Sequence, residues 1–288
     1  MRSKVLMLIL VIGVGFGILS SFNKEAHKQI GLQLYSVRQD IQKNLPATLD
    51  SVAAAGYTFV EASGYYNGRF YDFDPEIFAE LLQKAGLRLL SSHVAFIPAD
   101  TLSEAEIGQW WEKAIDAHKK AGALYIVQSR IDAEACRSLD KLQHYCDYLN
   151  KVGEYCNKAG IRFGYHNHAQ EFELLDGQVI YDYMLTHTDP ENVFFQIDTY
   201  WVSIAGVEPA LYLKDYPGRF DLWHIRDEKE LGESGNINFE EVYKQAAVSG
   251  MRYAIVEQEA FTTTSFAGIR QSNAFIQKAP YIRTDYSK

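Results

Sequence analysis

One pattern recurs along the chain: an amphipathic helical stretch ends in a small residue and a glycine, and an apolar strand follows at once. The glycines at these junctions are Gly56, Gly86, Gly122, Gly160 and Gly250. Glycine is favoured just past a helix end because it adopts the left-handed backbone conformation without a Cβ clash. The repetition of this junction indicates a chain built from successive βα units.

The apolar stretches predict eight strands with helices between them. The predicted strands are 30–37, 57–63, 88–95, 123–129, 161–167, 193–200, 220–226 and 253–259. The predicted helices include 104–121, 139–159 and 239–248. Strands that alternate with helices pair in parallel, and eight units close a barrel. We therefore predict an α/β fold, a single-domain (β/α)8 TIM barrel over residues 27–288.

An open doubly wound sheet is the rival architecture. It normally carries a glycine-rich phosphate loop directly after its first strand. Here the first predicted strand runs into SVRQDIQKN, which contains no such loop. This difference favours the closed barrel.

The N-terminus has the pattern of a targeting segment. Arg2 and Lys4 precede an apolar run over 5–19, which ends in small and polar residues. This order is typical of a signal peptide, and the run is short for a membrane-spanning helix. We predict an export segment over 1–26 and a bacterial periplasmic location, with an uncleaved anchor as the alternative. No other contact with a membrane is expected.

Composition and cysteine content narrow the function. The 288 residues carry a formal net charge of −9 and no Lys/Arg cluster, whereas nucleic-acid binders use basic surfaces to neutralise phosphates. We therefore expect no nucleic-acid partner. The cysteines are Cys136, Cys146 and Cys156, and no CxxC motif is present, so a thiolate zinc site is not expected.

Polar and charged side chains collect where the predicted strands end. In a TIM barrel the catalytic groups come from the C-terminal ends of the strands. Buried strand ends otherwise favour apolar residues, because burying unpaired polar groups is costly. The residues at these ends are Gln33, Tyr35, Glu61, His93, Gln128, His166, His168, Asp198, His224, Arg226, Glu257 and Glu259.

The last four predicted strands each place a metal-ligand residue after an apolar strand body. These residues are His166, Asp198, His224 and Glu257. A lone histidine is usually a hydrogen-bonded core residue, but the same feature on four successive strands predicts one shared site. Imidazole and carboxylate ligands without sulfur suit Mn²⁺, Zn²⁺, Fe²⁺ or Co²⁺, with Mg²⁺ also considered. We predict one divalent metal ion.

Several segments resemble one known family in order along the chain. They are IGLQLYSVR, LRLLSSH, YHNHAQEFE, FQIDTYW, WHIRDE, GESGNINFEEV and AIVEQE. Together they resemble the xylose-isomerase-like TIM barrel superfamily, often labelled sugar phosphate isomerase/epimerase. In that family a Glu, an Asp, a His and a Glu from strands five to eight bind one divalent metal. The resemblance assigns the last three ligands to Asp198, His224 and Glu257.

Strand five departs from the family pattern. Many members have Glu-Asn-His where this chain has His166-Asn167-His168. Either His166 is itself the ligand, or Glu171 replaces the missing carboxylate. An imidazole at this place resembles the branch that includes inosose dehydratase and related keto-sugar lyases.

The resemblance implies an isomerase or epimerase that acts on a small sugar or keto-sugar through an enediolate, with His166 or Glu257 as the base. One alternative is a keto-sugar dehydratase or lyase, including cleavage of 3-keto-glycosides, on the same metal site. Another is a sugar-binding barrel without catalysis. A three-zinc endonuclease of the same superfamily is disfavoured by the acidic net charge.

The remaining strand-end residues are expected to contact the substrate. These are Glu61, His93, His168, Arg226 and Trp201. For Arg226, a surface ion pair with Asp227 or Glu228 is the alternative. A homo-oligomer is possible under this interpretation.

Overall fold

Eight parallel strands close into a barrel in the computed structural model, which describes residues 27–99 and 101–286. The strands are β1 (Gly31–Gln33), β2 (Phe59–Ala62), β3 (Leu89–Val94), β4 (Tyr125–Gln128), β5 (Arg162–His166), β6 (Val193–Asp198), β7 (Leu222–Ile225) and β8 (Tyr253–Val256). Each strand pairs with the next along the chain, and β1 pairs with β8. The predicted (β/α)8 barrel is confirmed.

Helices surround the barrel. They are α1 (Arg38–Ile41), α2 (Leu45–Ala54), α3 (Pro75–Lys84), α4 (Glu104–Ala121), α5 (Leu139–Lys158), α6 (Ile180–His187), α7 (Thr199–Ile204), α8 (Pro209–Asp215), α9 (Phe239–Lys244), α10 (Ala246–Ser249) and α11 (Ser265–Lys278). The predicted helix over 104–121 is confirmed at both ends. Its start is fixed by a capping box between Ser103 and Glu106, and its end by Gly122, whose φ is +84°.

Two predicted boundaries are wrong for local reasons. The first strand ends at Gln33, because the Gln33 side chain accepts a hydrogen bond from the Tyr35 backbone N–H and starts a 3₁₀ turn over Leu34–Val37. The predicted helix over 239–248 is two short helices, joined at Gln245. The other predicted strands are shortened at their ends, and β8 stops at Val256.

The interior of the barrel is closed at its N-terminal end by apolar side chains. These side chains, which we call the floor layer, span two successive inward positions of β4. They are Phe59, Leu90, Tyr125, Val127, Phe194, Leu222 and Ile255. Two glycines make room for its aromatic rings: a Cβ on Gly31 would lie 2.2 Å from the Phe59 ring, and one on Gly164 would lie 2.5 Å from the Phe194 ring. A larger apolar core fills the space between the strands and the helices.

Two short hairpins lie at the C-terminal end of the barrel. One pairs Tyr65–Tyr66 with Arg69–Phe70 after β2, and the other pairs Leu174–Leu175 with Gln178–Val179 after β5. The proposed export segment over 1–26 lies outside the described residues. Within the described ranges, no helix is long and apolar enough to cross a membrane.

Candidate active site

The depth of each inward side chain follows from its distance along the strand from the floor layer. Residues two apart on a strand share a face, so each inward step of two residues moves one layer toward the mouth. On β6 the inward series is Phe194, Gln196 and Asp198. On β7, His224 lies one step above Leu222. In the register of these two strands, Leu222 lies opposite Gln196 and His224 lies opposite Asp198.

Four of the predicted ligands come together at this end of the barrel. His166, Asp198, His224 and Glu257 each offer one ligand atom, and these atoms all lie within 4.8 Å of one another. All four residues are buried. Two ligand atoms bound to one cation at about 2.1 Å lie at most about 4.2 Å apart, so small movements would complete coordination. Proximity alone makes this group a candidate metal centre.

The unpaired atoms in this group support the fit to a cation. The Oδ2 atom of Asp198 and the Nδ1 atom of His166 are buried and have no hydrogen-bond partner. His224 Nδ1 lies 3.8 Å from that Oδ2 atom and 3.2 Å from Glu257 Oε2. Unsatisfied buried polar atoms are rare in folded proteins, and a missing ion is one recognised explanation. The donor set, two imidazoles and two carboxylates, is one that divalent transition metals accept.

Hydrogen bonds orient two of the candidate ligands, Asp198 and His224, from the side away from the candidate centre. Asp198 Oδ1 accepts from the backbone N–H groups of Tyr200 and Trp201 at 2.9 Å, which leaves Oδ2 for a ligand. His224 Nε2 donates to Glu61 Oε1 at 2.6 Å, which leaves Nδ1 for a ligand. A carboxylate behind a histidine in this way is typical of metal sites, because it fixes the tautomer and the ring orientation.

The structure corrects the expected role of Glu61. Glu61 is fully buried beneath the candidate metal centre and does not line the cavity above it. Its oxygens accept hydrogen bonds from Gln33, Ser91, Gln196 and His224, and Oε1 also lies 3.0 Å from His93 Nε2. Glu61 therefore supports His224 and His93, and it is too deep to touch a substrate.

The electrostatics of the candidate centre separate its two histidines. Burial, together with the charges of His224 and His93, holds the pKa of His166 well below its usual range, so its imidazole is neutral. Burial alone would lower the pKa of His224, but the carboxylates of Glu61 and Glu257 raise it to about 10. Without a cation, His224 is therefore a buried imidazolium among carboxylates.

The pKa values of the two carboxylates in the candidate centre also differ. Burial raises the pKa of Asp198 to about 6. Burial acts in the same direction on Glu257, but His224 and Arg226 outweigh it and lower the pKa of Glu257 to about 2. Both carboxylates are charged at neutral pH, although Asp198 is close to its midpoint. A cation between them would replace the favourable charge that the proton on His224 supplies.

Arg226 lies neither at a substrate-contacting position nor in a surface ion pair, the two places expected for it. Its guanidinium pairs with Glu259 Oε1 at 2.6 Å and with Glu257 Oε2 at 3.4 Å, and it stacks over the rings of Tyr200 and Trp201. It is buried and does not line the cavity. Arg226 therefore does not lie where the predicted substrate contact would place it. Its guanidinium pairs with Glu257 and Glu259, from the segment after β8, and not with the neighbouring Asp227 or Glu228.

Glu171, the alternative strand-five ligand, lies outside the candidate metal centre. Its carboxylate accepts from the Tyr165 hydroxyl at 2.6 Å and from the His168 backbone N–H at 2.8 Å. Both oxygens are therefore used by β5 and the loop that follows it. The imidazole of His166 is the strand-five group that joins the other three ligands.

A cavity of about 390 Å³ opens directly above the candidate metal centre. Its walls are formed by Tyr35, Ser63, Tyr65, His93, Ala95, Ser129, Arg130, His166, His168, Trp201, Glu257 and Glu259. The predicted contacts His93, His168 and Trp201 do line it. Tyr65 and Arg130 were not predicted, because they belong to loops after β2 and β4 whose paths the strand pattern does not determine. Arg130 directly follows the predicted strand segment, and that position was its one available signal.

Fold and cavity together define a class: a (β/α)8 barrel with a candidate divalent-metal centre at the C-terminal mouth. The sequence model of the family described as xylose isomerase-like TIM barrel matches residues 49–279. The chain belongs to the xylose isomerase-like TIM barrel family.

Individual relatives agree with this assignment. The chain is 24% identical over 196 residues to an inosose dehydratase of Lacticaseibacillus casei, a match that spans 63% of each protein. A solved sugar phosphate isomerase/epimerase from Parabacteroides distasonis ATCC 8503 is 31% identical, with a TM-score of 0.85 over 91% of this chain and 99% of that one.

A solved IolI protein with a bound zinc atom shares the fold at 14% identity. Its TM-score is 0.64, over 85% of this chain and 95% of that one. The proteins similar to this chain thus include enzymes named for isomerisation, epimerisation and dehydration.

Proposed function

We propose that the protein is a divalent-metal-dependent enzyme that transfers a proton at the carbon beside the carbonyl group of a small sugar or keto-sugar. One observation carries the proposal: four ligand residues converge at the base of a cavity, and two of their buried ligand atoms lack any partner. A sugar-binding barrel without catalysis would have no need to bury these charges, which cost stability unless they are paired.

The candidate ligands are His166, Asp198, His224 and Glu257. A bound divalent cation would polarise a carbonyl oxygen and stabilise the negative charge that develops there when the neighbouring carbon loses a proton. A backbone N–H group orients Asp198 for metal binding, and the hydrogen bond to Glu61 orients His224. These two residues therefore act in binding and do not exchange protons with the substrate.

Glu257 is the base that we favour over His166. Glu257 Oε2 faces His224 and Arg226, whereas Oε1 has no protein hydrogen-bond donor in the described chain and Glu257 lines the cavity. The unpartnered Nδ1 atom of His166 is better used as a ligand, because neutral imidazole is the form that binds metals. His93, His168 and Trp201 line the same cavity and orient the sugar.

Elimination is the second candidate outcome. Two-base epimerisation in this family uses two carboxylates, and the strand-five position here carries an imidazole. The similarity to an inosose dehydratase points the same way. In a lyase, the group that receives the proton is the leaving hydroxyl or alkoxide of the substrate. We therefore keep dehydration or cleavage beside isomerisation for the same site.

Proton transfer is tested by NMR in D₂O. The full chain, loaded with Mn²⁺ or Zn²⁺ and then freed of excess metal, is incubated with a panel of sugars and 3-keto-sugars. Deuterium uptake at one carbon without loss of a substituent identifies an isomerase or epimerase. Release of water or of an aglycone identifies a lyase.

The variant that tests the base is Glu257→Gln, which keeps the shape of the side chain and removes its basicity. We expect this variant to lose exchange by at least about 100-fold, the lower end of what general-base catalysis supplies. If the wild-type protein exchanges no proton across the panel, or if Glu257→Gln exchanges as fast, the proposal is wrong.

We also propose an exported, periplasmic location. It is supported by Arg2 and Lys4 before the apolar run over 5–19. Fractionation of the native host, with N-terminal sequencing of the mature chain, tests it. Recovery of the intact chain from the cytosol would contradict it.

A further inference from the structure

A second cavity adjoins the one above the candidate metal centre. It has a volume of about 630 Å³ and lies over the loops after β4 and β5. Three residues line both cavities: Arg130, His168 and Trp201. The two spaces are therefore compartments of one groove, which we call the inner and the outer cavity.

The outer cavity combines apolar walls with a few polar groups. Its apolar surface comes from Ile97, Ile131, Ala133 and Ala169. Asp132 and Gln170 add an acceptor carboxylate and an amide. Sugar rings present apolar C–H faces together with hydroxyl groups, and a flat aromatic face such as that of Trp201 suits the former. Small-molecule sites generally show this mixture of apolar lining and few polar groups.

Arg130 is the charged group at the junction of the two cavities. Among the residues that the structure describes, its guanidinium makes no hydrogen bond or ion pair, although five N–H donors are available. Asp132 lines the same outer cavity, so the local charge is balanced rather than purely positive. A balanced pair of donor and acceptor suits hydroxyl groups better than a phosphate.

We propose that the outer cavity is a subsite for the second ring of a glycoside whose first ring lies at the candidate metal centre. The proposal rests on the proposed function for the placement of the first ring. The inner cavity, at about 390 Å³, already has the size of a small-ligand site. A first ring in the inner cavity therefore leaves the outer cavity available for a second ring. The residues that line both cavities, Arg130, His168 and Trp201, would lie beside the link between the two rings.

Binding of matched sugars tests the subsite. Calorimetry of the metal-loaded full chain compares glucose with cellobiose, galactose with lactose and mannose with mannobiose, each also as the 3-keto derivative. The 6-phosphates of the three monosaccharides are included. We expect at least one disaccharide to bind about tenfold or more tightly than its monosaccharide, since filling one extra pocket commonly yields this much.

Ala133→Trp fills the outer cavity at an exposed position in a turn, where a larger side chain does not disturb the core. We expect it to remove the preference for the disaccharide, so that the ratio of the two affinities falls to about one. The matched control is Ala54→Trp, at an exposed position of α2, which should leave the ratio unchanged. Unfolding midpoints of both variants show whether either change perturbs the fold.

Each possible result either supports or overturns the proposed subsite. A disaccharide preference that Ala133→Trp removes and Ala54→Trp keeps supports the subsite, even if no proton exchange occurs and the proposed function fails. Equal or tighter binding of the monosaccharide in every pair overturns it, as does a preference that Ala133→Trp leaves intact or the absence of any binding. Tighter binding of a 6-phosphate than of the disaccharide would assign Arg130 to an anion instead.

Discussion

The two ends of the barrel interior are built from the same strands but from opposite chemistry. On β2, Phe59 belongs to the floor layer, and Glu61, two residues later, is a fully buried carboxylate. On β6, Phe194 lies in the floor layer and Asp198 lies at the mouth. Both strands therefore change from apolar to ionisable side chains within two to four residues of their length.

The contrast separates the residues that stabilise the fold from the residues that form the candidate metal centre. Apolar side chains in the floor layer gain free energy simply by leaving water. The buried charges at the mouth lose hydration and are compensated only by one another, so they contribute little net stability. Changes at the floor should lower stability and leave metal affinity intact, whereas changes at the mouth should do the reverse.

The largest expected effect is at the floor. Phe194→Ala removes a ring that is 1% exposed and packs edge-on against Tyr125. We expect the free energy of unfolding to fall by about 3–5 kcal/mol, as is usual for a buried phenylalanine. Urea unfolding of the metal-free protein measures this. Tyr66→Ala, at a residue that is 83% exposed, is the control and should change little. If folded Phe194→Ala lost as much metal affinity as a variant of the candidate ligands, the contrast between floor and mouth would be wrong.

The next effect is at the mouth. Asp198→Asn keeps the oxygen that accepts from Tyr200 and Trp201, but it removes the charge on the unpartnered Oδ2 atom. We expect affinity for Mn²⁺ or Zn²⁺ to fall by about 100-fold or more, beyond the usual cost of losing a supporting residue.

The stability of the metal-free Asp198→Asn variant tests the other half of the contrast. Burial raises the pKa of Asp198 to about 6, so its charge destabilises the folded state at neutral pH. The variant should therefore be as stable as the wild type or more so. A drop in stability like that of Phe194→Ala would show that the mouth contributes to folding as the floor does.

A smaller effect is expected at Glu61, the residue behind His224. Glu61→Gln keeps the size of the side chain but removes the charge that accepts from His224 Nε2. Without this negative charge His224 is held less firmly with Nδ1 toward the other candidate ligands, and metal affinity should fall about 10- to 100-fold. The visible spectrum of the Co²⁺-loaded protein should change as well, since it reports the geometry of ligation.

Ser91→Ala is the matched control for Glu61→Gln. It deletes one hydrogen bond to Glu61 and leaves the carboxylate and His224 in place. We expect nearly wild-type affinity and an unchanged Co²⁺ spectrum. If both variants lose stability in parallel and neither alters the spectrum, Glu61 is a packing residue only.

Much of this architecture can be predicted from the sequence, but the depth of a residue in the barrel cannot. Asp198, His224 and Glu257 each follow an apolar strand body, and that pattern alone predicted their convergence. Glu61 shows the same pattern after Phe59 and Val60, yet it lies beneath the site. The difference depends on where each strand starts relative to its neighbours, and this stagger is set by closure of the barrel.

The contacts that loop residues make were still harder to predict from the sequence. Arg226 follows β7 as a substrate-binding residue would, but its partner Glu259 comes from the loop after β8. Such pairs form between segments that meet only when the barrel closes. Tyr65 reaches the cavity from a hairpin of two-residue strands, too short to leave a hydrophobic pattern.

The smallest effect, taken per pH unit, is the pH dependence of metal affinity. Glu61 and Glu257 outweigh burial and raise the pKa of His224 to about 10, so the metal-free protein carries a proton that a cation must displace. Affinity should rise about tenfold per pH unit between pH 6 and 9, and more steeply below about pH 6, where Asp198 also takes up a proton. Calorimetry in two buffers of different ionisation enthalpy should show about one proton released at pH 7.5. Affinity that does not change with pH would contradict this charge assignment.

The most direct measurement is an anomalous difference map from a crystal of the full chain soaked in Mn²⁺. The account predicts one peak per chain, within bonding distance of His166, Asp198, His224 and Glu257, that disappears in Asp198→Asn. A map with no peak there, or with a cation bound by other residues, would contradict it.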